Sequence, residues 1–567
     1  MEKHLTSSVF TMLYFVLIIF SSCKSESVVT GPLPTNDDQP AESTLFKVQG
    51  DKIVAPDGSD FHIKGVAFGN QVWINPALPP PNHHGQVDFE RVAAMGFNSI
   101  RFYLNYRLFE DDHDPYNYHE RGFEWIDQNI GWARDNDIYL ILNMHVPQGG
   151  FQSLEGGGAL WDERGNQQRL IALWQEIARR YAGESRILGF DLVNEPVVTQ
   201  SIDQWIGLAE EIVEGIREVN ADHMIFIERL NANLSLSNPW DPNQNGQMNY
   251  FLIDDPNIVY QFHFYLPFAF THQNAHWIPS MAGVESSWPD EDRMEAPGGL
   301  EWSWATFENP LAQRGTKGTT DWTFYEGVEV TVTDENHVIG RPALQGNAIG
   351  EGTVWFDDIT LVERDADGNE IGNWTWDFTT NDNFYYWSDP VQGQGIWSAD
   401  EGRDGSGCWK IAGSGSDAVL SDGVNSIALT VGHSYQMSGW MRTKKLPTDA
   451  QPRVRLDFYE SDGEVHFWNR EYLEAEVERY LEFGRVNNVP IYLGEFGCIA
   501  GAFEKGRGGL LWVEQMLDIC SERGVHYNYH TWHETAFGIF LNPPHLPLDP
   551  SSGNQQLIDL FTRMQND

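Results

Sequence analysis

From Phe46 onward, short unbroken apolar runs alternate with stretches of helical period. The runs fall at 61–68 (FHIKGVAF), 97–103 (FNSIRFY), 138–145 (IYLILNMH), 187–194, 223–228 and 257–265 (NIVYQFHFY). Between them the apolar residues recur every three or four positions. Examples are Phe123, Ile126, Ile130 and Ala133; Leu170, Leu173, Trp174, Ile177 and Tyr181, stopped by Gly183; and Trp205, Ala209, Ile212, Val213 and Ile216. Runs apolar throughout suit parallel strands buried on both faces by helices. The alternation stops at about residue 305. It resumes near 466 with a helical stripe through Tyr472, Leu473, Val477, Tyr480 and Leu481, and with two further runs, 489–495 (VPIYLGE) and 525–532 (VHYNYHTW). A helix over 512–520, stopped by Gly524, lies between those runs, and another through 557–564 closes the series.

Eight strands alternating with helices predict an α/β fold, a (β/α)8 TIM barrel formed by 45–304 and 466–567. Polar residues recur at the C-terminal ends of the runs: Arg101, His145, Asn194 with Glu195, Glu228, and His263 with Tyr265. A barrel builds its site from many such ends. A doubly wound sheet would concentrate it at one switch point, and no GxGxxG or Walker motif follows any run. The segment 305–465 is rich in Gly, Asp, Thr and Trp. Its β-type runs lie at 328–332, 354–361 (VWFDDITL), 427–431, 435–441 and 454–459. In the last, Val454, Leu456 and Phe458 alternate with Arg455, Asp457 and Tyr459. This predicts an all-β, jelly-roll-like domain inserted between barrel strands six and seven.

Composition narrows the function. The chain has 567 residues, of which 13% are aromatic, and a formal net charge of −46 from 82 acidic and 36 basic side chains. Nucleic acid as a partner is excluded by that charge, since its binding needs a basic face. Aromatic excess suits sugar rings, whose C–H faces stack on indole and phenol. The N-terminus carries a targeting pattern: Lys3 and His4, an apolar stretch at 9–20, then Ser21, Ser22 and Cys23. It resembles a bacterial lipoprotein signal (1–23) whose Cys23 becomes a lipidated N-terminus, followed by a polar, Pro-bearing tether (24–44). The expected location is extracytoplasmic, lipid-anchored at an outer membrane or cell surface, or alternatively secreted. Cys408, Cys498 and Cys520 show no paired spacing and suggest neither zinc nor disulfides.

The chemistry starts at 189–196, GFDLVNEP, an apolar strand that ends by presenting Asn194 and Glu195. Its counterpart is Glu495 in LGEFG, three strands later. Two carboxylates across a cleft can cleave a glycosidic bond: one protonates the leaving oxygen, and the other attacks the anomeric carbon or activates water. Taken together, SIRFY, LNMH, NEP, FHFY, LGEFG and YHTW, each at a strand end and in this order, resemble glycoside hydrolase family 5, within the clan of retaining (β/α)8 glycosidases. The resemblance implies Glu195 as general acid/base and Glu495 as nucleophile. Arg101, His145, Asn194, His263, Tyr265 and Trp532 would be the substrate-binding and orienting set, Trp532 forming the floor under the sugar. It implies a polysaccharide substrate, with endo-β-1,4-glucan the first expectation and β-mannan, mixed-linkage or β-1,3-glucan the alternatives. No metal or organic cofactor is required. A non-catalytic glycan-binding barrel is the rival from another class, disfavoured by the intact Glu195, Glu495 and Arg101.

Other residues invite roles. Glu228 and Glu534 also end or follow runs; Glu228 is read as positioning its neighbours. Trp73 and Trp161 are sugar platforms or packing residues. The insert resembles carbohydrate-binding jelly rolls with the halves in reversed order, VWFDDITL being the closing strand, which predicts a circularly permuted sandwich joined near 365–372 (DADGNEIG). Trp374, Trp376, Tyr385, Tyr386 and Trp387 would stack on sugars or fill its interior. Asp357 and Asp358 suit a structural calcium or a surface turn.

Overall fold

The computed structural model describes residues 44–73, 77–153, 157–219, 222–303, 313–314, 317–381, 384–422, 426–461 and 464–564. The leader and residues 24–43 of the tether lie outside them. Among the described residues, no helix is long and apolar enough to cross a membrane.

Eight parallel strands close into a barrel: β1 (Lys64–Phe68), β2 (Ser99–Asn105), β3 (Tyr139–Val146), β4 (Ile187–Asp191), β5 (Met224–Glu228), β6 (Ile258–Phe264), β7 (Ile491–Phe496) and β8 (His526–Tyr529). Each pairs with the next and β8 with β1, so no edge is left open. The helices wrap the outside and share one apolar core with the outward-facing strand residues. Two of them end on left-handed residues, Asn488 (φ 53°) and Gly524 (φ 67°), whose conformation lets the amide turn back onto the last carbonyls.

Side-chain alternation divides the barrel interior into two levels. At the lower end Ile141, Phe226, Val259 and Tyr492 pack with Phe46, Ile53 and Ile63. Those last residues belong to or flank a three-stranded N-terminal sheet (Lys47–Gln49, Lys52–Val54 and Asp60–Phe61) that closes this end. The expected first run therefore splits: Phe61 belongs to this small sheet, and β1 begins only at Lys64. At the upper end the inward residues turn polar while staying buried: Arg101, Asn143, His145, Asp191, Glu228, Gln261 and Asn528.

The insert leaves after β6. A short helix (Phe268–Thr271) is followed by a stem in which Asp290–Glu295 pairs antiparallel with His466–Trp468, and the barrel helix Arg470–Asn487 comes directly after the stem. The inserted domain thus sits between β6 and its own helix, at the end of the barrel where the catalytic side chains lie. It forms two seven-stranded antiparallel sheets. One contains His337–Asn347, Phe384–Asp389, Asp417–Asp422 and Gln451–Glu460; the other contains Gly318–Glu326, Gly350–Arg364, Glu370–Trp376, Cys408–Ser414 and Ser434–Leu446. Both halves of the insert contribute strands to both sheets. They enclose one core built on Val354, Phe356, Ile359, Leu361, Met437, Met441, Val454, Leu456 and Phe458. The segment 365–369 is a tight turn between paired strands, held by Asp365 accepting from Asn369.

Candidate active site

Arg101 organises the site from the middle of β2. Its Nε donates to Asp191 Oδ2 (2.7 Å), Nη1 to Glu495 Oε1 (2.6 Å), and Nη2 to Asn194 Oδ1 (3.0 Å). One planar fork therefore ties β2 to the tips of β4 and β7, a geometry that lysine cannot reproduce. The guanidinium is fully buried, and its charge is balanced by Asp191 and Glu495.

Glu495 receives more donors than Arg101 alone. Tyr103 Oη donates to Oε1 at 2.5 Å, and Tyr265 Oη donates to Oε2 at 2.9 Å. Burial pushes its carboxyl up, but His263, His530, Arg101 and His145 outweigh that and hold it well below the usual carboxylate range. A deep, permanently ionised carboxylate is what a nucleophile requires. Glu195 stands at the more open side, its side chain 18% exposed. Its backbone is left-handed, with φ 45°.

His263 links the carboxylates. Its Nδ1 lies 2.9 Å from Glu195 Oε1, 3.5 Å from Glu228 Oε1 and 3.7 Å from Glu495 Oε2. Burial works against its charge, but Glu228, Glu495 and Glu195 raise it to about 9, so it is an imidazolium at neutral pH. Glu195 Oε1 and Glu495 Oε2 cannot be farther apart than the two contacts through this nitrogen laid end to end. That limit falls at the bottom of the inverting range of about 6.5–9.5 Å and admits the retaining spacing of about 5–5.5 Å. Burial pushes Glu228 up to about 8, with Glu195 adding to the effect and His263 and Arg101 opposing it. Glu195, Glu228 and His263 each offer an atom within 4.8 Å of the others. The hydrogen bonds that join them explain that spacing, and two-carboxylate chemistry calls for no cation.

His145 stacks on Tyr103 with ring centroids 3.9 Å apart and is kept neutral, chiefly by burial. Asn194 presents Nδ2 toward Ser153 Oγ (3.3 Å). Arg101, His145, Asn194, Glu195, His263, Tyr265 and Glu495 therefore come together at one end of the barrel. Trp532 does not join them. β8 ends at Tyr529, so strand alternation does not extend to residue 532; Thr531 Oγ1 and Trp532 N hydrogen-bond back to Ala67 O of β1. The indole is fully buried between Phe68 and Phe540. The expected floor under the sugar is thus a packing residue, and the side chain just past this strand that reaches the site is His530. Its Nδ1 lies 3.1 Å from Tyr103 Oη and 3.9 Å from Glu495 Oε2.

The undecided residues separate clearly. Trp73 is 46% exposed beside His145 and Phe151, an aromatic wall open to a ligand. Trp161 is buried against Trp205 and donates to Gln152 Oε1, so it packs. Glu534 accepts the amides of Ala536 and Phe537 and shapes its own loop. In the sandwich, Trp376 lies in the core, with Trp374 and Tyr386 packed against it, while Tyr385 and Trp387 face outward. Asp358 pairs with Arg403, whose amide donates to Asp357, so an arginine stands where a calcium was considered.

Residues 54–320 match the family model described as cellulase (glycosyl hydrolase family 5). This part of the barrel is similar to glycosyl hydrolase family 5. The matched span carries β1 to β6, and hence every named site residue except Glu495 and those at or just past β8; barrel closure brings these to the residues of the matched span. Endoglucanase C of Acetivibrio thermocellus is 35% identical over 194 residues, 34% of this chain and 53% of that relative. Cellodextrinase A of Ruminococcus flavefaciens is 27% identical over 211 residues, 37% and 60% of the two chains. A β-xylosidase of Phanerodontia chrysosporium is 24% identical over 362 residues, 57% and 73%. The chain spans about half the length of the first of these relatives.

Proposed function

We propose that this barrel, similar to family 5, hydrolyses β-glycosidic bonds with retention of configuration, as an endo-β-1,4-glucanase. The observation that carries the reading is Glu495, ionised by its surroundings and held by Arg101, Tyr103 and Tyr265, facing the more exposed Glu195 across His263. Glu495 attacks the anomeric carbon while Glu195 gives its proton to the leaving oxygen. Water, deprotonated by Glu195, then releases the sugar from Glu495. Arg101 and the two tyrosines keep the nucleophile ionised and aimed, and Asn194 is placed to bond a sugar hydroxyl. The relatives named as endoglucanases favour β-1,4-glucan, and the one named as a β-xylosidase makes chain-end cleavage the second reading.

The finer proposals concern placement. A lipoprotein-type leader would anchor the enzyme outside the cytoplasm through Cys23, and the sandwich would act as a carbohydrate-binding module, Tyr385 and Trp387 being its exposed aromatic pair. Reducing-sugar release from β-1,4-glucan, β-mannan, mixed-linkage and β-1,3-glucan tests the reading. Glu495→Ala serves as control, and NMR follows the anomer first formed. A β-anomer as first product, internal cleavage of β-1,4-glucan and an inert Glu495→Ala are expected. Activity surviving that substitution, or an α-anomer formed first, would overturn the mechanism.

A further inference from the structure

Glu228 is a carboxyl that the two-carboxylate reaction does not use, yet it is buried among the reacting groups, 2% exposed at the tip of β5. Its Oε2 accepts the backbone N–H of Glu195 at 2.7 Å. Its Oε1 lies 3.5 Å from His263 Nδ1, the same nitrogen that holds the Glu195 carboxyl at 2.9 Å. Glu228 thus touches Glu195 twice, directly at the amide and through one imidazole at the carboxyl. The amide it grips belongs to a non-glycine residue at φ 45°, where an L-residue pays about 1 kcal/mol or more and stays only if its surroundings hold it. Glu228 is itself fixed: Gln261 Nε2 donates to Oε2 at 3.3 Å, and Trp205 Nε1 donates to its carbonyl at 2.8 Å.

We propose that Glu228 is a positioning residue for the acid/base Glu195, setting its backbone and coupling its protonation to a neighbouring carboxyl through His263. The inference rests on the reading of Glu195 and Glu495 as the glycosidase pair. The groups that face Glu228 are Glu195, His263 on β6 and Arg101 on β2, with Asp191 at the end of β4 reached through Gln261 and Glu495 on β7 reached through His263. Tyr250 lies near it, and Arg229 turns away to Met248 O. With so many charges in contact, the pH limits of the rate belong to the cluster and not to one residue. As pH rises toward 8, Glu228 becomes an anion beside Glu195 and favours retention of the acid's proton. An amide at 228 keeps an oxygen for the Glu195 N–H but supplies no such charge.

The test compares Glu228→Gln and Glu228→Ala with the unsubstituted enzyme on one active substrate, with kcat, KM, the pH profile of kcat/KM and the melting temperature measured together. Glu228→Gln should melt close to the parent and lower kcat about tenfold with KM changed less than about twofold. Its alkaline limb should move down by about one pH unit. Glu228→Ala, lacking the amide's acceptor, should lower kcat about 100-fold. A glutamine variant with parental kcat and an unmoved limb would overturn the proposal. So would rates that fall only in step with melting temperature. An unsubstituted enzyme inactive on every β-glycan would overturn the glycosidase reading, and this inference with it.

Discussion

Arg101→Lys separates charge from geometry. The guanidinium makes three charge-assisted contacts at once: to Asp191 (2.7 Å), Glu495 (2.6 Å) and Asn194 (3.0 Å). A lysine ammonium keeps the positive charge between Asp191 and Glu495 but, as a point donor, cannot reach all three in the fixed directions of the fork. Hydrogen bonds to charged groups are worth about 1.5–3 kcal/mol each. Losing one that orients the nucleophile or Asn194 in the transition state therefore lowers kcat/KM about 10- to 150-fold. The loss should fall on kcat, because Trp73 and Phe151, which wall the cleft, do not depend on Arg101. Steady-state kinetics on a soluble β-glucan, with a thermal melt to establish folding, measure it. A lysine variant with parental kcat/KM, or one changed only in KM, would refute the idea that the fork's geometry matters beyond its charge.

Three further outcomes are expected. Glu495 is depressed in the folded protein, so the stability it contributes is present above the ordinary carboxylate range and is lost as pH falls through its folded value; the acid limb of kcat/KM should lie below that range and move up in Tyr265→Phe. Glu228 and His263 are both raised, to about 8 and about 9, so the folded state holds extra protons across pH 6.5–8 and sheds the last by about 9. Melting temperature should fall across that window, at up to about 1.4 kcal/mol per pH unit for each extra proton, and the fall should weaken in Glu228→Gln. Trp532→Ala empties a fully buried site and should cost about 3–5 kcal/mol of stability with KM unchanged, whereas Trp73→Ala should raise KM and leave the melt alone.

The barrel was legible because its strands are apolar on both faces and its polar residues gather at one end of each, a pattern that few folds share. Tyr103 was legible in principle and missed: it lies two residues after Arg101 on the same strand, so alternation places it on the same inward face. Trp532 was misplaced because resemblance supplied its role while the chain leaves the strand three residues earlier. The sandwich strands were harder to read. In Gly318–Glu326 the large residues Trp322 and Phe324 share the outward face, Phe324 in a tilted contact with Trp440, and only Tyr325 enters the core, so hydrophobicity points the wrong way.

The insert interrupts the barrel between its two most consequential neighbours, yet the site spans the interruption. β6 brings His263 and β7 brings Glu495, and the two strands pair directly, with a register shift between Phe262 and His263. The shift passes over Gly494, so that His263 opposes Glu495. A Cβ at Gly494 would lie 2.8 Å from Gln261 Oε1 and 3.1 Å from His263 Nε2, the side chains that hold Glu228 and Glu195. The glycine of LGEFG is thus a condition of the geometry: only a residue without a side chain lets β7 pass close enough for one imidazole to serve three carboxylates. Separation in sequence costs little by comparison. Closure entropy grows only as the logarithm of loop length, about 0.6 kcal/mol per doubling, and a domain with its own core and a paired stem returns the chain close to where it left. What the barrel cannot tolerate is a change in how β6 and β7 meet, and the inserted domain, entering after Tyr265 and ending before the helix that leads to β7, leaves that meeting intact.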